Sequence, residues 1–293
     1  MDNNIFSDLD DLGFKDIDKL NIYEKEGQKI KKTAEDNNKI SHADLLYDRT
    51  ITCPVCGSTF KARSIKTSSY RIIKKDSDFF INYNIINPYF YDVWICNDCG
   101  YASMKTDFNK IKNSQKDMVK NKISTKWKGK IYPAVYDVNI AIERYKLSLL
   151  NYTIIESPSS KKAMNCLKLS WMYRILSQSE NENLFMKYSL LGFKKAYNNE
   201  DFPIYSMDKF TTMYLIGELS RRIGDSDEAL LWLGNVITNP KANQKIKDKA
   251  RDQKDLITLS KESIEVSSNS SLDKNIEIKK PKKKGKGFFS KFF

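Results

Sequence analysis

Apolar positions along this chain change their spacing where the strands give way to helices. Tyr91-Asp92-Val93-Trp94-Ile95 alternates and is rich in β-formers, which predicts a strand leading into Cys96. From Asp137 the spacing becomes helical. Ile140, Ile142, Tyr145, Leu147 and Leu149 load one helix, and Met164, Leu167, Trp171 and Ile175 form a stripe on the next. Further helices are predicted at 182–198, 207–223, 225–238 and 242–260, with breaks at Ser157-Pro158, Pro203, Gly224-Asp225 and Asn239-Pro240. Six helices with short connections imply an antiparallel array. Gly217 and Ala229 lie 12 positions apart, Leu233 follows four later, and Pro240 closes the unit. That spacing is close to the roughly 34-residue tetratricopeptide repeat, whose small residues let paired helices approach. Pro240 comes one position early, so an unrelated helical bundle is the alternative.

Upstream, residues 49–108 read as a small antiparallel sheet: a mixed polar and β-branched stretch from Ser64 to Ile73, then Asp76-Ser77-Asp78-Phe79-Phe80, then an Asn-rich loop to Pro88. Residues 109–136 are rich in Lys and Asn and predict a connector with a short helix. Residues 1–48 carry few large apolar side chains and are not expected to fold alone. Within them Phe6, Leu9 and Leu12 recur every three residues before Gly13, which reads as a transient turn or as a short docking motif for a partner groove. Residues 261–293 are rich in Ser, Asn and Lys and predict a disordered stalk. The expected organisation is therefore α+β: a ribbon over 49–108, a connector over 109–136 and a helical region over 137–260, between disordered termini.

Composition adds a location and a tail. No apolar run approaches the roughly 18 residues of a membrane span, and Met1-Asp2-Asn3-Asn4 has no signal-peptide pattern, so a cytoplasmic setting is expected. The net charge of +13 suggests nucleic acid until it is located: the last 15 residues hold seven lysines and no acid, and +6 remains without them. Lys282, Lys283, Lys284, Lys286 and Lys291 interleave with Phe288, Phe289, Phe292 and Phe293. Cations with terminal rings suit an anionic membrane surface best; nucleic acid and simple solubilisation are the alternatives.

The strongest chemical signal is a pair of knuckles, Cys53-Pro54-Val55-Cys56-Gly57 and Cys96-Asn97-Asp98-Cys99-Gly100, with 39 residues between Cys56 and Cys96. Two such loops let four thiolates meet one ion, and a reducing compartment favours metal over disulfide. With Cys53, Cys56, Cys96 and Cys99 all ligating, no coordination position remains for an activated water. The expectation is a structural zinc that supplies the folding energy a short ribbon lacks. Both knuckles also look like the iron knuckles of rubredoxin, so an iron electron carrier is the competitor. Conventional catalysis has little to use. His42 is the one histidine and lies in the polar N-terminal segment. Asp76 and Asp78 are expected to form turns and hydrogen bonds. Cys166 lies in an apolar helical stretch and reads as a core residue. Tyr70, Arg71, Lys74, Lys75, Phe79 and Phe80 fit a solvated basic strand beside a small core, with a nucleic-acid face as the alternative. No small-molecule substrate is identified.

With ribbon and array read, the chain resembles the bacterial domain-of-unknown-function family numbered 2225 over Arg49 to Val236. The resemblance rests on both knuckles, Asp76-Ser77-Asp78-Phe79, Asn87-Pro88, Tyr91 to Cys96, Cys99-Gly100-Tyr101-Ala102, Trp171-Met172-Tyr173-Arg174 and Gly217 to Gly224. It implies a metal-binding ribbon joined to a tetratricopeptide-like region, with no activity to transfer. The family usually places Pro after the third cysteine, where this chain has Asn97. The expected job is a non-enzymatic adaptor whose array binds a protein partner, at the inner membrane surface if the tail engages lipid.

Overall fold

Each cysteine knuckle is the loop of a β-hairpin. In the computed structural model, which describes Gly13 and residues 42–273 with side chains as far as residue 261, a short 3₁₀ turn at His42–Leu45 leads into β1, Leu46–Thr52. β1 pairs antiparallel with β2, Thr59–Ile65, and the pair Thr52 with Thr59 closes the first knuckle. β5, Val93–Ile95, pairs with β6, Ala102–Met104, and the pair Ile95 with Ala102 closes the second. Between them, β3, Arg71–Lys75, and β4, Ile81–Asn84, form an inserted hairpin with Asp76–Phe80 as its loop. This insertion accounts for the 39-residue spacer between Cys56 and Cys96.

Among the described residues the strands form three separate two-stranded pairs, not the one small sheet expected. The reason lies in their faces. β3 is exposed at all five positions, so it has no buried face to lay alongside the other pairs. The cysteine loops of the first and third pairs meet each other instead, their sulfurs within 4.8 Å of one another.

The connector carries α1, Asn113–Val119, which runs into a single π turn, Lys120–Ser124. Six helices follow: α2, Val138–Ile154; α3, Ser159–Ile175; α4, Ser179–Asn199; α5, Lys209–Arg222; α6, Ser226–Thr238; and α7, Gln244–Asp273. Asp137, Asp208 and Asp225 cap α2, α5 and α6 by accepting from the backbone N–H three residues on. Each helix packs on the next, and α5 also touches α7. α7 continues past residue 260, where the predicted helix ended, because no Gly or Pro interrupts 244–273. No described helix is long and apolar enough to cross a membrane.

α2 is the central element. It packs on β5 and β6 with one side and on α3 with another, so it is buried nearly all round. One apolar cluster runs unbroken from Ile51 and Cys53 of the ribbon to Leu215 and Leu219 of α5. A second, from Met213 and Tyr214 to Ala250 and Ile257, joins α5, α6 and α7. At the α5–α6 crossing a β-carbon on Gly217 would lie 2.9 Å from Leu233 Cγ, the close approach that the small residue predicted. Cys166 is fully buried in α3, where burial pushes its thiol well above the ordinary range, as a core residue requires.

Candidate metal centre

The two knuckles repeat one local geometry. In the first, the Cys53 N–H donates to the Ser58 carbonyl at 2.8 Å, and the Gly57 N–H to the Cys53 carbonyl at 3.0 Å. In the second, the Cys96 N–H donates to the Tyr101 carbonyl and the Gly100 N–H to the Cys96 carbonyl, each at 2.9 Å. Gly57 at φ +78° and Gly100 at φ +72° make the left-handed turn that each loop needs.

Facing each other, the knuckles bring the four Sγ atoms within 4.8 Å of one another. Cys53 to Cys99 and Cys56 to Cys96 are each 3.6 Å apart. For the roughly 2.3 Å metal–sulfur bonds of a tetrahedral thiolate site, the sulfurs would be about 3.8 Å apart, so the donor set fits one ion. Cys53, Cys96 and Cys99 are buried, and Cys56 is exposed. Four thiolates this close cannot all ionise without a cation. Its hydrogen bond to Cys96 pushes the Cys53 thiol up to about 12, and Cys99 is raised through Cys53 and Cys96. Cys96 is held low by hydrogen bonds from Cys53 and Cys99 and also from Ser58 at 3.3 Å. An ion held by Cys53, Cys56, Cys96 and Cys99 would cross-link the two hairpins and supply folding free energy.

Supports around the second knuckle come from residues that spacing alone did not point to. Trp127 Nε1 donates to the Asn97 carbonyl at 2.6 Å, the Lys130 N–H to Asn97 Oδ1 at 2.8 Å, and the Ser124 hydroxyl to the Cys99 carbonyl at 2.8 Å. Asn151 of α2 donates to the Gly100 carbonyl at 3.3 Å. Asn97 thus uses the side chain that a proline would lack to hold the connector against the knuckle. An isolated Trp in a Lys-rich connector was the one sequence signal for this.

The family described as "Uncharacterized protein conserved in bacteria (DUF2225)" matches residues 46–257. The chain belongs to this family. A Borreliella burgdorferi protein, itself named only as an uncharacterized protein, is 26% identical over 169 residues, half of this chain and 60% of the relative. The chain thus spans 60% of that relative's length. No solved structure matches. The DUF2225 match begins at β1 and ends in α7, so it takes in both knuckles and the charged centre behind them.

That centre joins three of the motifs that carried the resemblance. Asp78, fully buried in the loop of the inserted hairpin, accepts from Trp171 Nε1 at 3.0 Å and from Arg174 Nη1 and Nη2 at 3.2 and 2.6 Å. Arg222 of α5 lies 3.7 Å away. Glu218, also buried, pairs with Arg221 at 2.8 Å and Arg222 at 2.6 Å and accepts from the Ser77 hydroxyl at 2.5 Å. Asp76 and Glu182 take further contacts from Arg174, and Lys74 pairs with Asp76. Lys74, Arg174, Arg221 and Arg222 balance Asp76, Asp78, Glu182 and Glu218. Burial alone would raise the Asp78 carboxyl, but hydrogen bonds and charge from Arg174, with charge from Arg222, hold it below the usual range. This is a closed, charge-balanced weld between ribbon and array. It gives Asp76 and Asp78 the hydrogen-bonding role expected of them.

Two further acids of the ribbon do the same work: Asp92 pairs with Lys168 and Lys105, and Asp107 accepts from Tyr152 and Tyr205. Arg71, Lys74 and Lys75 are exposed, Tyr70 is half-buried with its ring edge-on to Tyr83, Phe80 is buried against Trp171, and Phe79 lies against Tyr214. His42 is not part of the thiol cluster. The tail residues Lys282 to Phe293 and the Phe6–Gly13 motif, Gly13 apart, lie outside the described residues.

Proposed function

We propose that this protein is a non-enzymatic, cytoplasmic adaptor, with a ribbon stapled by structural zinc and a helical array that binds a protein partner. The observation that carries the reading is the complete four-thiolate set, three of its members buried. Such a set leaves no open position for substrate or activated water, and thiolate donors in tetrahedral array suit zinc. Among the described residues, no second cluster of His, Cys, Asp or Glu could hold a metal. The charged centre around Asp78 is fully paired, so it favours rigidity over proton transfer. A ribbon fixed this firmly to the array makes one continuous platform, which suits scaffolding. In this reading the Lys–Phe tail brings the platform to the inner face of the membrane.

Elemental analysis of the purified chain tests the metal: one zinc per chain is expected, retained in Cys166→Ala and lost in Cys96→Ser. A visible iron chromophore, with iron in place of zinc, would overturn the reading in favour of an electron carrier. Crosslinking in the native cell, followed by mass spectrometry, tests the adaptor. Crosslinks from the α3–α6 surface to one protein are expected, and recovery of nucleic acid through the ribbon would count against it.

A further inference from the structure

A cleft of about 290 Å³ opens between the first hairpin and α2, beside the second knuckle. Lys61 and Arg63 of β2, Lys130 and Tyr132 of the connector, Tyr136, and Arg144 of α2 line it. Arg144 is 5% exposed, and none of the described ion pairs includes it. Its Nη2 donates to the Val93 carbonyl at 2.6 Å, while its Nε has no partner. The guanidinium carbon sits 4.7 Å from the Tyr132 ring centroid and 4.5 Å from that of Tyr136. Aromatic faces offset only part of the cost of burying a cation without an anion.

The other charges around the cleft set the ligand. Arg63 has Asp48 at 3.4 Å, and Lys130 has Glu143 at 2.6 Å. Lys61 donates to the Thr50 hydroxyl at 2.7 Å and is in none of the described ion pairs. Two cations, Arg144 at the floor and Lys61 at the exposed rim, are therefore in excess. A phosphate monoester carries about −1.5 to −2 charges at pH 7, and a guanidinium offers it two parallel donors. The volume sits at the lower end of ligand pockets, which run from roughly 300 to 1,000 Å³, so it suits one small molecule and not a polymer strand.

We propose that this cleft binds the phosphate group of a small ligand, with Arg144 as its buried anchor and Lys61 as its rim contact. This goes beyond the adaptor reading and does not depend on it or on the identity of the metal.

Isothermal titration calorimetry of the full, metal-loaded chain with inorganic phosphate, AMP and adenosine tests the site. Phosphate and AMP should bind and adenosine should not. AMP binding more tightly than phosphate assigns a monoester, and equal affinities assign free phosphate; both support the site. Arg144→Met should abolish binding but also removes the bond to Val93. Lys61→Glu, on the exposed rim, therefore serves as the second variant: it should weaken binding about tenfold with an unchanged melting temperature. Four results would each overturn the proposal: no heat from phosphate or AMP at about 10 mM, adenosine matching AMP, affinity unchanged in Lys61→Glu, or binding of single-stranded RNA alone.

Discussion

Arg174 of α3 holds Asp78 of the inserted hairpin through two guanidinium nitrogens, Nη1 to Oδ1 at 3.2 Å and Nη2 to Oδ2 at 2.6 Å, across 96 residues of sequence. A third nitrogen, Nε, reaches Glu182 at 2.7 Å. Only a planar fork satisfies this arrangement, so Arg174→Lys keeps the charge and loses the geometry. It should cost about 1–3 kcal/mol. Asp78→Asn removes the buried carboxylate of the pair, leaving half-buried Arg174 only Asp76 and Glu182, and should cost about 3 kcal/mol, the lower end for breaking a buried pair. Urea denaturation of both variants, followed by circular dichroism, reads the difference. Equal stabilities for Arg174→Lys and wild type would remove the fork from the account.

Acid should expose the same weld. Asp78 and Asp92 are both held below the ordinary carboxylate range despite burial, Asp78 by Arg174 and Arg222 and Asp92 by Lys168 and Lys105. A depressed carboxyl contributes stability that is complete above its unfolded value of about 3.9 and is lost as pH falls through the lower folded value. The urea midpoint should therefore hold from neutral pH down to about 5 and fall steeply below about 4. Protonation of thiolates holding an ion would act in the same direction. The comparison that isolates the carboxylate is Asp78→Asn, whose midpoint should start lower and fall less steeply.

What could be read from the sequence was local. The cysteine spacing marked the four thiols, and the three- and four-residue stripe through Met164, Leu167 and Trp171 marked α3, because each depends on neighbours along the chain. Partners that meet only in the fold could not be read this way. Asp78 looked like a turn residue because Trp171, Arg174 and Arg222 lie on two distant helices. Arg144 carried a faint signal, an arginine between Ile142 and Leu147 on a helix buried nearly all round. The separate hairpins also escaped, since nothing local said that β3 would have no buried face.

Gly217 and Leu233 give the helical array its most direct test. A β-carbon at 217 would stand 2.9 Å from Leu233 Cγ and 3.2 Å from Trp232 Cβ, and Leu233 is fully buried. Replacing Gly gains up to about 1 kcal/mol of helix propensity, but overpacking costs about 1–3 kcal/mol. Gly217→Ala should therefore be mildly destabilising, and Gly217→Leu should lower the melting temperature by several degrees. Unchanged melting of the Leu variant would mean that α5 and α6 do not pack this closely.

The tail can be tested without knowing its structure. Seven lysines would each contribute about 1 kcal/mol at an anionic surface, less when crowded, and the four rings would add apolar insertion. The full chain should float with vesicles containing anionic lipid and not with neutral ones, and removal of residues 279–293 should abolish flotation. Equal flotation of the truncated chain would sink the membrane role.

The two knuckles share a motif but not an environment, and this separates backbone strain from packing. Gly57 and Gly100 both sit at positive φ, so either Gly→Ala change strains the backbone by about 1–2 kcal/mol. At Gly57 nothing lies within 4 Å of the added carbon. At Gly100 the Trp127 ring is 2.7 Å away, and moving it would break the 2.6 Å bond from Trp127 to the Asn97 carbonyl. Gly100→Ala should therefore cost about 1–3 kcal/mol more than Gly57→Ala and should release metal to a chelator faster. Chelator competition and thermal melting on the two variants measure this. Equal losses would show that the connector contributes nothing to holding the second knuckle.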